Sequence, residues 1–378
     1  MTKRRRGHGE GSVYQRADGR WEAKVDLGWV EGKRSRKSLY GRTEREVIEK
    51  KKVTERQVQL KVPLVDERRT TAHLLDWWMC EIVPGQVRRS TVISYGQKVR
   101  HLKRHLGHVR VSKLAPVHVQ SFMKKMQDEG MTPRGVAYCR AVLRKALNDA
   151  MRFGLVTRNV ATLVKPPQQQ RVEVTPLMPS EARTLLETVK GDRLEALYSV
   201  ALALGLRRGE ALGLAWDDVD LDEGTLRVRL ALQRIDGKLQ LVEPKTFRSR
   251  RRIPLPPSCI EALRAHRVRQ VEERLLAGEQ WQEHGFVFTS TIGTPLEPRN
   301  LTRHFAKVCT NARIGTRRFH DLRHTCASLL LAQGVSPRVV METLGHSQIS
   351  LTMDTYAHVM PTMQREAADL IDKVLKAE

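Results

Sequence analysis

The stretch KPPQQQRVEVTPLMPSEA, residues 165–182, contains four prolines, a glutamine run and few apolar residues. Proline lacks a backbone N–H and restricts the residue before it, so this stretch can continue neither a helix nor the interior of a sheet. Its composition is typical of a linker. We therefore predict that the 378-residue chain folds as more than one domain, with a boundary near this stretch.

The block before the linker shows only the periodicity of amphipathic helices. Gly and Pro separate four candidates, TAHLLDWWMCEIV, TVISYGQKVRHLKRHL, APVHVQSFMKKMQDEG and PRGVAYCRAVLRKALNDAMRFG. We predict an all-α domain over residues 66–166.

Residues 1–65 have a different pattern. GSVYQRADGRWEAKVDLG predicts a hairpin that turns at Ala17–Arg20, and RSRKSLYG predicts a third strand. TEREVIEKKKVTERQVQL predicts a helix with Thr43 as its N-cap and Glu46 completing a capping box. The expected domain is a small three-stranded β-sheet plus one helix.

The third block, residues 167–378, includes most of the linker and is mixed α/β and mainly helical. SEARTLLETV, RLEALYSVALALG and GLRRGEALGLAW predict helices, and GTLRVRLALQR and KLQLVEPKTFRSRRRIPLP predict strands. Helices then return, and PTMQREAADLIDKVLKAE predicts a terminal amphipathic helix that packs on a neighbouring subunit or on its own domain.

The charge balance favours a polyanionic partner. The chain has 67 Lys+Arg against 42 Asp+Glu, a net charge of +25, and such a field favours nucleic acid. A membrane surface is disfavoured because no apolar run approaches the ~18 residues of a span, and the basic N-terminus lacks the apolar region of a secretory signal. The five cysteines form no C-x-x-C pair, which favours reduced thiols in the cytoplasm over disulfides or a zinc site.

Basic side chains recur on each block and are candidates for contact with DNA phosphates. On the first block we expect them to share one face of the sheet; a basic face without sequence preference, or a merely solvated one, is the alternative. Trp21 is a candidate on the same sheet, and the basic candidates are Arg16, Arg20, Lys24, Arg34, Arg36, Lys37, Lys98, Arg100, Lys103, Arg104, Arg140, Arg144, Lys145, Arg248 and Arg250.

The third block also carries groups suited to phosphodiester chemistry. Cutting such a bond needs a nucleophile, cations that stabilise the charge developing on phosphorus, and an acid for the leaving oxygen. The candidates are Arg207 in LGLRRGEAL, Lys245 in an expected hairpin, His320 and Arg323 in HDLRH, His346 in TLGH, and Tyr356 in LTMDTYAHV. A tyrosine is by itself a poor nucleophile, since its pKa is about 10.

This set, in this order, resembles the tyrosine recombinase (phage integrase) family. The resemblance implies that Tyr356 attacks the scissile phosphate to form a 3′-phosphotyrosyl link, with neither metal nor ATP. It further implies that Arg207 and Arg323 hold non-bridging oxygens and that Lys245 protonates the leaving 5′-oxygen. His320 would act as acid/base or hold the phosphate, and His346 would bond a non-bridging oxygen.

Several alternatives stay open at the level of sequence. Arg208 is one residue from Arg207 and can replace it in the alignment. His320 and His324 are spaced to bind a metal, although a zinc protease motif would need Glu where Asp321 stands. We expect instead that Glu210 orients Arg207 or balances its charge, and that His324 supports the site from behind. The run RSRRR at 248–252 is interpreted as a DNA-backbone contact or a solvated hairpin.

The resemblance also sets the expected partners and place of action. Residues 1–65 resemble the arm-type DNA-binding domain of phage and integrative-element integrases, which implies binding to core-type and arm-type sites on double-stranded DNA. It further implies a homotetramer on DNA that forms C-shaped clamps, a DNA-bending host protein, an excisionase, and location with the nucleoid in a bacterial cytoplasm. A type IB topoisomerase and an inert DNA-binding regulator are the alternatives.

Overall fold

The computed structural model of this protein describes residues 13–30, 33–59, 68–169, 175–244 and 250–345, with Asp372 and Leu375. The chain divides into two compact units, Met1–Gln170 and Arg171–Glu378. The division lies four residues beyond the predicted boundary at 166, whereas the predicted boundary at 65 falls outside the described residues. The terminal segment that follows Tyr356 also lies outside them, apart from Asp372 and Leu375.

The first unit begins with the predicted sheet and helix. Strands β1 (Val13–Gln15), β2 (Trp21–Val30) and β3 (Lys33–Gly41) pair antiparallel in that order, and α1 (Glu44–Gln59) follows. The β1–β2 turn closes where predicted, with Gly19 at a φ of 78° that favours glycine. Three strands and one helix are therefore confirmed.

The predicted N-cap of α1 is confirmed, with a small difference in its partner. The Thr43 hydroxyl accepts a hydrogen bond from the Glu46 backbone N–H at 3.2 Å. The Glu46 carboxylate bonds the N–H of Arg42, at 2.9 Å, one residue before the cap. Together these bonds satisfy two donors that the start of the helix would otherwise leave open.

The remainder of this unit consists of the four predicted helices. They are α2 (Thr71–Trp77, continued by a π-helical turn at Trp78–Ile82), α3 (Arg89–Leu106), α4 (Pro116–Asp128) and α5 (Pro133–Arg152). Their apolar faces form one buried core. Trp78 lies in that core and donates its indole N–H to Asp149 at 2.8 Å.

The second unit contains seven helices among the described residues. They are α6 (Pro179–Thr188), α7 (Glu195–Leu204), α8 (Arg208–Leu212), α9 (Pro257–Ala277), α10 (Pro298–Asn311), α11 (Phe319–Ala332) and α12 (Pro337–Leu344). Helix α7 is apolar on nearly every side and packs against α9 and α11. It therefore forms the centre of the core onto which the helices of the candidate site are fixed.

The strands of this unit differ from the prediction. They are β4 (Val219–Asp220), β5 (Thr225–Val228), β6 (Ala231–Ile235), β7 (Lys238–Val242) and β8 (Arg251–Pro254). Two antiparallel sheets result, with the orders β4-β5-β8 and β6-β7.

Each of the two long runs predicted as strands is thus divided between two sheets. Val228 and Ala231 are both buried although they lie three residues apart. A single strand would place them on opposite faces, so the chain must bend between them.

All five cysteines are free thiols. Cys80 is exposed and the other four are buried. Burial raises the pKa of Cys139 and Cys259 to about 11 and that of Cys326 to about 12. Over the described residues, no helix combines the length and apolarity needed to cross a membrane.

Candidate active site

Three of the six predicted catalytic residues lie in the described part of the second unit. They are Arg207, His320 and Arg323. Lys245, His346 and Tyr356 lie outside the described residues, as does Arg248. The strands on either side of Lys245 do not form the expected hairpin, because β7 pairs with β6 whereas β8 pairs with β5.

Arg207 stands at the N-cap of α8, with an extended backbone. Its Nη1 donates to the Glu210 carboxylate at 2.6 Å, and its Nη2 donates to the Gly345 carbonyl at 3.3 Å. The Arg207 side chain is 37% exposed, whereas that of Glu210 is 3% exposed. One side of the guanidinium is therefore fixed by the protein while part of it faces solvent.

Arg323 and His320 lie one turn apart on α11. Arg323 is only 1% exposed, and its Nη1 donates to the Gly205 carbonyl at 2.9 Å, which ties α11 to the segment before Arg207. His320 reaches the surface. Desolvation and the charges of Arg323 and Arg207 lower its pKa below 6.5. The structure therefore brings Arg207, His320 and Arg323 into one neighbourhood, with a neutral imidazole at pH 7.

His324 packs behind His320, with the two rings edge-to-face and their centroids 4.9 Å apart. Burial, followed by the proximity of His320, lowers the pKa of His324 to about 4. The described residues contain no group of three or more His, Cys, Asp or Glu placed to hold a metal. Within this part of the chain, His320 and His324 therefore have no further ligands of the kind that a metal site would need.

The depressed pKa of His324 predicts a loss of stability at acid pH. Its folded pKa of about 4 lies below the unfolded value of 6.5, so between these values the unfolded chain binds more protons. The free energy of unfolding should therefore fall as the pH drops from 7 to 5, by about 1 kcal/mol from this ring after allowance for solvent screening. The free energy of unfolding, measured with urea at both pH values, should change less with pH in His324→Asn than in the wild type. An equal change in the two proteins would contradict the lowered pKa of His324.

Arg208 points away from this neighbourhood. It is exposed, and its Nη1 donates to the Thr302 hydroxyl on α10 at 2.8 Å. Of the two adjacent arginines, Arg207 is the one directed at Glu210 and at the segment that leads to His346. The geometry therefore favours Arg207 over Arg208 as the phosphate-binding candidate.

Arg251 is a residue of this site that the sequence interpretation missed. The interpretation of RSRRR as a DNA-backbone contact or a solvated hairpin is wrong for Arg251, because its side chain is 6% exposed and donates to the Glu210 carboxylate at 3.1 Å. A signal was present, since Ile253 and Leu255 are buried and alternation places Arg251 on their side of the strand. Neighbouring Arg250, which is exposed, pairs with Glu243 at 2.5 Å.

The buried carboxylate of Glu210 is held in its charged form. Burial alone would raise the pKa of Glu210, but the charges of Arg251 and Arg207 and the hydrogen bonds from both side chains lower it. The expected role of Glu210 in orienting Arg207 is consistent with this contact. Between two guanidinium groups, the carboxylate can keep Arg207 in place without neutralising the whole site.

Two glycines let α8 lie directly on strand β6. A Cβ added at Gly209 would stand 2.9 Å from the Leu232 carbonyl oxygen, and one at Gly213 would stand 2.8 Å from the Leu232 nitrogen. Since both obstacles are backbone atoms, they cannot rotate away. The helix whose N-cap is Arg207 is thus positioned by close packing against this hairpin.

Gly213→Ala should therefore lower the free energy of unfolding by about 1–3 kcal/mol, because α8 must move away from β6. Gly96→Ala, in helix α3, is the matched control: the nearest atom to its new Cβ is Met79 Cε at 3.8 Å. Its stability should be unchanged or higher by up to about 1 kcal/mol. Equal losses for both variants in urea unfolding would contradict the packing argument.

Two of the candidates on the first sheet, Trp21 and Lys37, lie on the face opposite Lys24 and Arg36, whereas the prediction placed all of them on one face. Trp21 packs with the buried cluster that includes Val47 of α1, and Lys37 pairs with buried Val25 on that same face. Lys24 and Arg36 occupy the opposite face, because strand residues alternate. Arg34 lies on the face of Lys24 and Arg36, where it pairs with Asp26 at 2.5 Å. Arg16 pairs with Glu22 of that face at 3.4 Å, and Arg20 flanks the β1–β2 turn.

The candidates on the helical bundle also differ in exposure. Arg140 is only 8% exposed, so it cannot lie on the open basic surface predicted for it. Lys103 is paired with Asp76 at 2.8 Å and Arg104 with Glu129 at 3.5 Å. Lys98 lies over the Tyr138 ring at 5.6 Å. Of the others, Arg100 and Arg144 are exposed, and Lys145 lies 3.8 Å from Asp149.

Comparison with known proteins gives consistent matches. Residues 176–363 match the sequence profile described as the phage integrase family. The chain is 30% identical over 361 residues to a protein described as "Tyrosine recombinase XerC-like" from Caldanaerobacter subterraneus subsp. tengcongensis, covering 90% of this chain and 92% of that protein.

Two solved structures share the fold. The Tn1549 transposon integrase, in complex with a circular intermediate DNA, is 20% identical with a TM-score of 0.68, covering 80% of this chain and 99% of that one. The lambda integrase tetramer bound to a Holliday junction is 18% identical with a TM-score of 0.57, covering 93% and 97%. The second comparison extends over most of both units.

Proposed function

The chain belongs to the phage integrase family of tyrosine recombinases and is a site-specific DNA recombinase, and we propose that it integrates and excises a phage or mobile element. The residue assignments rest on one observation, that Arg207, His320 and Arg323 lie close together. These residues come from α11 and the segment before α8, and a hydrogen bond from Arg323 to Gly205 links the two elements.

The two arginines suit a scissile phosphate. A guanidinium presents two parallel N–H groups that match the oxygens of a phosphate. Arg207 is held on one side and partly exposed on the other, and Arg323 is fixed by burial. We assign both to the non-bridging oxygens, where they offset the charge that develops during transfer.

The proposed reaction balances without metal or ATP. The Tyr356 oxygen bonds to phosphorus as the bond from phosphorus to the 5′-oxygen breaks. Neutral His320 accepts the phenol proton, Lys245 gives a proton to the leaving 5′-oxygen, and His346 bonds a non-bridging oxygen. A 5′-hydroxyl of another strand then attacks the phosphotyrosine, which restores the phenol and joins the new strand.

DNA is the proposed partner of both units. We assign core-type sites to the helical bundle and the second unit, and arm-type sites to the first 65 residues, as three domains with boundaries near 65 and 166. A homotetramer on DNA is supported by the lambda integrase tetramer, which shares the fold. A DNA-bending protein and an excisionase complete the proposed assembly, in the bacterial nucleoid.

The proposal is tested by strand exchange. The purified protein should join two duplexes that carry its attachment sites, and it should become covalently trapped on a core-site duplex nicked beside the cut. Mapping the DNA-linked peptide should identify Tyr356. Relaxation of a supercoil without exchange would indicate topoisomerase activity instead, and DNA binding without trapping would indicate a regulator.

A further inference from the structure

Three consecutive arginines on and beside strand β8 have different surroundings. Arg250 and Arg252 are exposed, and they bond Glu243 and the Thr225 hydroxyl respectively. Arg251, between them, turns its side chain inward. A buried guanidinium needs a specific reason, because removing its charge from water is costly unless it is paired and hydrogen-bonded.

Arg251 and Arg207 bind the same carboxylate from two sides. Glu210 Oε1 accepts from Arg207 Nη1 at 2.6 Å, and Oε2 accepts from Arg251 Nη2 at 3.1 Å. Oε2 also accepts the backbone N–H of Arg207 at 3.1 Å. The position of Glu210, and with it the orientation of Arg207, therefore depends on a cation that lies behind both.

The same two arginines also reach the end of helix α12. Arg251 Nε donates to the Thr343 carbonyl at 2.6 Å, and Arg207 Nη2 donates to the Gly345 carbonyl at 3.3 Å. The last carbonyls of a helix lack intrahelical partners and carry partial negative charge. The two guanidinium groups thus fix strand β8, the start of α8 and the end of α12 to one another.

We propose that Arg251 is a positioning residue, which holds Glu210 and through it the Arg207 guanidinium in the orientation that clamps the scissile phosphate. This inference rests on the proposed role of Arg207. Without Arg251, Glu210 keeps Arg207 as its one cation among the described residues and draws it closer, away from the phosphate. Arg251 itself is already engaged by Glu210 and by the Thr343 carbonyl.

The first test is Arg251→Met beside the control Arg264→Met, which removes an exposed arginine of α9 that donates to the Leu221 carbonyl at 3.3 Å. Because a misplacement of about 1 Å can cost a reaction about 10²-fold, Arg251→Met should slow cleavage of nicked core-site DNA, measured at saturating DNA, by about 10²-fold. The Kd of Arg251→Met for this DNA should change less than about threefold, and Arg264→Met should change both the cleavage rate and the Kd by less than about threefold. Equal effects from the two substitutions, or a change confined to Kd, would overturn the inference.

The second test separates positioning from general damage to the fold. A methylphosphonate at the scissile position removes one charged oxygen, and each of its two diastereomers removes a different one. For each variant, the cleavage rate is compared with that of the wild type on the same DNA. The slowing caused by Arg251→Met and by Arg207→Ala should be smaller on one diastereomer than on the ordinary phosphate, and that diastereomer should be the same for both variants. A deficit of Arg251→Met that is equal on every substrate would show a merely structural role and overturn the inference.

Two further measurements keep the outcomes distinct. If Arg251→Met does not fold, it is replaced by Arg251→Lys, which retains a charge near Glu210. This variant should slow cleavage less, and the slowing should shrink on the same diastereomer. If Arg207→Ala cleaves the ordinary phosphate as fast as the wild type, the assignment of Arg207 fails. If only the Arg207 variant is impaired, the inference about Arg251 fails alone.

Discussion

Replacing Tyr356 with phenylalanine should abolish the covalent protein–DNA product and lower the cleavage rate by at least about 10⁴-fold, as expected for loss of a nucleophile. The substitution removes one oxygen and leaves the ring, so DNA binding and thermal stability should stay close to those of the wild type. The reaction is followed on a nicked core-site duplex, where the wild-type protein accumulates in the trapped form.

Tyr40→Phe is the matched control for this experiment. Tyr40 is an exposed tyrosine in the first sheet, where its ring lies under the guanidinium of Arg16. Since the nicked duplex carries only a core site, this variant should be trapped at the wild-type rate. Efficient trapping by Tyr356→Phe would instead move the nucleophile to another residue.

Arg207→Ala should slow cleavage by about 10³-fold, whereas Arg208→Ala should change it by less than about threefold. Removing a single group that stabilises transition-state charge costs about 10²–10³-fold in well-studied enzymes. The loss here should lie at the upper end, because among the described residues Glu210 then keeps Arg251 alone as a cationic partner. Arg208 contacts Thr302 and has no comparable role.

These adjacent substitutions remove the same kind of side chain, so their comparison cancels the loss of one positive charge from the protein surface. Cleavage rates are measured at saturating DNA, with thermal unfolding of each variant as the control for folding. The reverse result, with Arg208→Ala the more impaired, would shift the catalytic arginine by one residue and would also remove the basis for a positioning role of Arg251.

Elements that depend on local periodicity could be predicted from the sequence. All four helices of the bundle and the three strands before them are in the expected places, because each has an amphipathic pattern bounded by Gly, Pro or a capping residue. The convergence of Arg207 with Arg323 could not follow from periodicity. It depends on how α8 and α11 pack, and only the family resemblance linked the two residues.

Burial of charged side chains was the least predictable feature. Arg140 looks like other basic residues on its helix, yet it is enclosed because it lies beside Cys139 and Leu143 on the packed side of α5. Strand register likewise places Trp21 and Lys37 on the face opposite Lys24 and Arg36. Neither the helical spacing nor the total charge shows which cations face inward, since this depends on tertiary neighbours.

The cysteines make the protein suitable for labelling at one place. The thiolate is the species that reacts with maleimide dyes, and the four buried cysteines are both shielded and shifted to higher pKa. Cys80, the exposed thiol, lies at the end of the first bundle helix. A single fluorophore attached there to the unmodified chain would report the arrival of successive subunits on one DNA molecule, by the count of bleaching steps.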